Sequence, residues 1–202
     1  MSAAPRAGPA ALPADRRGCP AGTVRLRDGS RVEVRFIRSD DGPRLITLFG
    51  RLSPETISRR FLHAKGVLLP SEAARYAGVD GRERDALVAC APAGERAVRI
   101  VGVARYAKED DERAEGALVV EDAYQGLGLG TVLLRGLITL LRSRGFRHLR
   151  GAVLADNGRM LRLLRATGLP LRIVPEYGAF DTSLDLRPGG RLGSPRPAGD
   201  IP

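Results

Sequence analysis

The 202-residue chain has no tryptophan, two cysteines, two histidines and only two lysines. Cys19 lies in a proline-rich segment and Cys90 in an apolar, strand-like run, so no disulfide framework is expected. With only His63 and His148 beside them, no spacing suits a metal ion, and none is expected. That cysteine usage fits a reducing compartment, here read as the cytoplasm. No run of about 18 apolar residues is present to span a bilayer. The N-terminal segment, interrupted by prolines and by Asp15, Arg16 and Arg17, does not read as a signal peptide. Aromatic residues make up 4% of the chain, so its basic residues lack the stacking platforms of a nucleic-acid binder. Neither a membrane nor a nucleic acid is an expected partner.

Eight of the fourteen prolines fall in residues 1–23 and 187–202, compositions that cannot pack a core and read as disordered tails. Residues 24–186 remain, the size of one domain, and a chain of that size buries enough surface to need no metal or disulfide staple. Each tail carries +2 of the net charge of +10, leaving +6 on the central segment. Thirty-one of the 33 basic residues are arginine, a bias that GC-rich coding produces; the same charge also suits an anionic ligand such as a phosphate.

Alternating residues over 23–38, with Asp28-Gly29 between them, predict a hairpin. Helices are expected over 40–51, over 54–62 (Ser53 capping, Pro54 first) and from a cap near Ser71. Strands follow over 85–91, 97–106 and 115–120, with an acidic turn over 108–113. Residues 131–143 carry polar side chains at Arg135, Thr139 and Arg142 and apolar ones elsewhere, a largely buried helix. A strand over 148–154, a helix over 158–167 capped by Asp156 or Asn157, and strands over 171–174 and 178–186 complete a mixed α/β order.

The segment Tyr124-Gln125-Gly126-Leu127-Gly128-Leu129-Gly130-Thr131 joins an apolar strand to an apolar helix. Alternating glycines let backbone N–H groups face one anion without Cβ obstruction, and the helix N-terminus adds partial positive charge. Such a loop either cradles a phosphate or merely turns the chain. No lysine follows for a Walker A loop, and a dinucleotide fingerprint would need glycine where Thr131 stands, with an acidic residue about 20 positions on.

Gln125, Gly128 and Gly130 at that spacing resemble the acyl-CoA pyrophosphate loop of the GNAT superfamily of N-acyltransferases. The later segment Asp156-Asn157-Gly158-Arg159-Met160, running to Gly168-Leu169, is similar to that superfamily's late helix, with leucine in place of the usual aromatic. The resemblance implies a central, partly antiparallel, splayed sheet flanked by helices, and acetyl-CoA as co-substrate. It places the ligand on Leu118, Val119 and Val120 of the preceding strand, on Gln125, Gly126, Leu127, Gly128, Leu129, Gly130 and Thr131, and on Asn157 for the pantetheine arm. Arg51-Leu52-Ser53-Pro54-Glu55-Thr56, Arg60-Phe61 and Val79-Asp80-Gly81-Arg82 look closest to bacterial protein-lysine acetyltransferases. Some relatives of that kind carry a fused cyclic-nucleotide domain, and regulation of that type is not expected here.

The resemblance makes a protein with an exposed lysine the expected acceptor, for example an acyl-CoA synthetase. A lysine amine with pKa about 10.4 is neutral in roughly 1 molecule in 2,500 at pH 7, so a carboxylate base is needed near the thioester. Glu115, at the start of the strand before the glycine loop, matches the position of the family's general base; Glu121, at its far end, is the alternative. The tyrosine with which many members protonate the leaving thiolate is replaced by Leu164. Arg159, Arg162 and Arg165 stripe one face of the late helix and read either as solvated or as attracting the CoA 3′-phosphate. The acidic run 108–113 reads as a hairpin tip or as an attractor of cationic segments. Two other readings remain: acetylation of a small amine (antibiotic, polyamine or amino acid), favoured by a deep closed pocket, and a non-catalytic acyl-CoA sensor.

Overall fold

A computed structural model describes residues 21–94 and 97–187. The expected tails, Cys19 included, lie almost wholly outside those residues. Strand β1 (Gly22–Arg25) begins one residue before the expected start and pairs with β2 (Arg31–Phe36) across the Asp28-Gly29 turn. Three eight-residue helices follow: α1 (Gly42–Phe49), α2 (Pro54–Phe61) and α3 (Pro70–Ala77). Ser53 caps α2, its hydroxyl accepting from the Thr56 N–H at 3.2 Å. Helix α3 starts earlier than its Ser71 suggests: Leu69 is the cap residue and Pro70 holds the first position, where its missing N–H costs nothing.

Strands β3 (Arg84–Pro92), β4 (Val98–Lys108) and β5 (Arg113–Val120) form an antiparallel run. The glycine loop leads into α4 (Leu129–Ser143), and β6 (His148–Leu154), α5 (Gly158–Arg165), β7 (Leu171–Glu176) and β8 (Ala179–Asp185) complete the chain. The eight strands form one sheet in the order β1-β2-β3-β4-β5-β6-β8-β7, in which β5 and β6 are the single parallel pair.

Alternation along the strands feeds two cores. One face of the sheet packs on α4, whose leucines at 129, 133, 137, 140 and 141 are fully buried, while Arg135, Thr139 and Arg142 stay outside as their period requires. The other face, with Ala86, Val88, Ile100 and Val103, packs on α1 to α3. Asp41 is fully buried under this second layer, held by Arg35 through two hydrogen bonds of 2.7 and 2.8 Å and by Arg44 at 3.0 Å. Burial works against its charge, but the Arg35 guanidinium and the Arg38 N–H outweigh that and hold its pKa below the usual carboxylate value.

Candidate active site

The parallel pairing of β5 with β6 covers only residues 113–115 against 148–150. Both strands continue, to Val120 and Leu154, but they part, and a cavity of about 110 Å³ opens between residues 116–118 and 151–153. Two glycines face each other where the strands separate. A Cβ on Gly116 would meet Leu149 Cδ1 at 2.4 Å, and one on Gly151 would meet the Gly116 carbonyl oxygen at 3.0 Å. A side chain at 116 would displace Leu149, and one at 151 would press on the backbone of β5, so glycine at both suits the close approach at this apex.

The split continues into a larger cleft of about 570 Å³, bounded by Leu118, Val119 and Val120, by the glycine loop and by α5. Gly126 and Gly128 adopt positive φ (77° and 95°), which explains glycine at both; Gly130 lies inside α4, where a Cβ would make only ordinary contact with Leu163. Among the described residues, the N–H groups of residues 126–130 find no acceptor, whereas those of Thr131 and Val132 donate to the Gly128 carbonyl. The loop therefore presents unsatisfied donors at the start of a fifteen-residue helix, the arrangement that favours an anion. Leu129 is fully buried, so only its backbone can take part.

The loop is fixed from three sides. Gln125 donates to Thr56 Oγ1 and to the Val120 carbonyl, both at 3.1 Å, and accepts from Arg159 at 2.7 Å. Asp122 accepts from the Ser53 N–H and hydroxyl (2.9 and 2.7 Å) and from the Thr56 hydroxyl (2.7 Å), so the Ser-Pro-Glu-Thr motif binds the start of α2 to the loop. Arg27, in the β1–β2 turn, donates its backbone N–H to the Leu127 carbonyl at 3.1 Å and extends its side chain over Gly126 and Gly128. Nothing near Arg27 in sequence marks it, because its partner lies 99 residues away.

Asn157 caps α5, its side-chain oxygen accepting from the Met160 N–H at 3.1 Å, and it lines both cavities. Of the arginine stripe, Arg159 and Arg162 line the large cleft; Arg165 is exposed and lines neither cavity. Glu115 lines the small cavity and is its only carboxylate. It is exposed and makes no hydrogen bond or ion pair among the described residues. Glu121 has a different fate. It is buried and held by Arg51 at 3.0 Å and Arg99 at 3.4 Å, which removes it as an alternative base. Leu164 lines the small cavity where a thiolate acid would stand, and no tyrosine lines either cavity. Tyr106 is in the core, donating to the Arg82 carbonyl.

The acidic hairpin tip is neutralised locally. Glu109 pairs with Arg150, Asp110 with Arg113, Asp111 with Lys108 and Glu112 with Arg147, leaving little net field to attract a cationic segment.

Unsatisfied donors, a long cleft and an unpaired carboxylate lie together along the split in the sheet. A family model described as the acetyltransferase (GNAT) family matches residues 57–169. A curated acetyltransferase of Pseudomonas aeruginosa is 37% identical over 145 residues, 71% of this chain and 77% of that protein. The GNAT domain of S. lividans PAT superposes with a TM-score of 0.73 at 28% identity, over 82% of this chain and 96% of that one. The fold is shared with yncA of Salmonella typhimurium, solved with its cofactor acetyl-CoA (TM-score 0.61, 18% identity, 81% and 98% coverage). The chain belongs to the GNAT acetyltransferase family. It is an acyl-CoA-dependent acetyltransferase.

Proposed function

We propose that the protein transfers the acetyl group of acetyl-CoA to the ε-amine of a lysine on another protein, with Glu115 as general base. The observation that carries this reading is Glu115 itself, the single carboxylate lining the cavity where β5 and β6 part, free of any competing cation within bonding distance. The likeness to the GNAT domain of S. lividans PAT supports a protein acceptor. The catalytic unit is residues 24–186, acting in the cytoplasm.

The residues present fit acetyl-CoA. The free N–H groups of residues 126–130 would hold the pyrophosphate, and Arg27, Arg159 and Arg162 supply positive charge around it. The unpaired edge of β5 and Asn157 would hold the pantetheine arm. Bound there, acetyl-CoA supplies an activated carbonyl and a leaving group that departs without strong acid help, so Leu164 in the acid's place is no obstacle. Glu115 accepts the ammonium proton, directly or through water, which raises the fraction of amine able to attack.

Two outcomes follow. Gly128→Val puts a branched side chain on a backbone at φ 95°, in the space beside Arg27. Calorimetry should show an acetyl-CoA Kd raised at least tenfold, about 1.4 kcal/mol; unchanged affinity in a folded variant removes the loop as pyrophosphate site. For the acceptor, thiol release from acetyl-CoA is measured with candidate proteins, amino acids, polyamines and aminoglycosides, and products are mapped by mass. Release driven by proteins, with acetyl-lysine as the product, supports the proposal. Release driven only by a small amine overturns it, and binding of acetyl-CoA without release to any acceptor indicates a sensor.

A further inference from the structure

On the sheet face that carries Glu115, three arginines from three elements make no ion pair or hydrogen bond with a carboxylate among the described residues, although Arg60 feels the charge of Glu115 and Arg75 that of Glu72. Arg60 lies in the last turn of α2, Arg75 in the last turn of α3, and Arg105 projects from β4. Registers place them together: Arg105 pairs with Ala117 and Ala107 with Glu115, so Arg105 and Glu115 are diagonal neighbours on one face. Tyr76 organises the group, with the Arg105 guanidinium 4.5 Å and that of Arg75 5.5 Å from its ring centre. Burial and the nearby charges of Arg60, Arg75 and Arg84 pull the Arg105 pKa down to about 10. Burial lowers that of Arg60 too, offset in part by Tyr76 and Glu115. The contrast with the rest of the surface is plain, since the acidic residues of the neighbouring hairpin are all taken by other cations.

Such a cluster loses less by meeting an anion than by facing water alone, and it disfavours an approaching cation. The segment joining α2 to α3, which bridges Arg60 and Arg75, also exposes Leu62, Val67 and Leu69 (43%, 58% and 50%). Charge with adjoining apolar surface suits a polypeptide rather than a small anion. We propose that Arg60, Arg75 and Arg105 form an acceptor subsite for Asp or Glu side chains flanking the target lysine. The inference rests on the protein-lysine reading above and deepens it by stating which lysines are chosen.

The test uses the full chain and lysine peptides identical except for flanks of Asp/Glu, Asn/Gln or Lys/Arg. Acidic flanks should raise kcat/KM at least tenfold over neutral ones, and the advantage should shrink with added salt. In folded Arg105→Gln, and independently in Arg60→Gln, the ratio of acidic to neutral rates should fall towards one. Binding of the acetyl-lysine forms of the same peptides, read by fluorescence anisotropy, repeats the comparison without turnover. Equal or cation-favouring rates and affinities in the native protein overturn the subsite while leaving lysine acetylation intact. Arginine-dependent binding of acidic peptides without acetylation of any peptide keeps the subsite and overturns the lysine reading.

Discussion

Glu115→Gln is expected to lower kcat/KM by about 10²–10⁴-fold while leaving acetyl-CoA affinity nearly unchanged. Glutamine keeps the shape of the side chain and removes its ability to take a proton. The loop at residues 126–130, which holds the proposed pyrophosphate site, lies beyond the far end of β5 and does not feel the change. Because the base matters only while the acceptor is protonated, the defect should shrink as pH rises towards the amine's own pKa. Rates for both proteins from about pH 6.5 to 9.5 give the result directly. Equal rates across that range would leave proton removal to bulk water, since Glu121 is immobilised by Arg51 and Arg99.

Asp41→Ala should cost about 3–5 kcal/mol of folding stability, because Arg35 would be left with an uncompensated, largely buried charge. For a chain of this size, that corresponds to a fall in Tm of about 6–20 °C by calorimetry. A Tm within about 2 °C of the native value would show that water or Asp40 replaces the lost carboxylate. The native pair also predicts a pH dependence. Asp41 has a lowered pKa in the folded state, so its contribution is complete above the unfolded value of 3.8 and is lost as pH falls through the folded value. Stability of the native protein should therefore drop more steeply in that acidic window than stability of the variant.

Local signals gave away much of this fold. The Asp28-Gly29 hairpin, the Ser53-Pro54 helix start and the buried period of α4 depend on neighbours a few residues apart, and the structure places them as expected. The start of α3 differed because Ser71 resembles a cap, whereas Pro70, fixed in φ and lacking an N–H, decides the first position. The glycine loop was legible as a motif, but not its supports. Arg27 over Gly128, and Asp122 on Ser53 and Thr56, are contacts between distant parts of the chain, for which sequence spacing carries no information. Long-range pairing also changed the meaning of individual charges. Glu121 and the acidic hairpin look available in sequence, yet arginines elsewhere in the chain neutralise Glu121, and arginines on and beside β6 neutralise Glu109 and Glu112.

The split between β5 and β6 bears on how the molecule holds itself together. Three residue pairs join these strands, against seven between β4 and β5 and seven between β6 and β8. The sheet thus has a built-in line of low cooperativity, and fluctuations that separate β6 to β8 from the rest should cost less than complete unfolding. Acetyl-CoA lying along that line, as proposed above, would touch both banks and oppose the separation, adding about 2.7 kcal/mol at a hundred times its Kd. On that proposal the enzyme would borrow part of its rigidity from what it binds, mechanically whole when loaded and slacker along the same line once the product leaves.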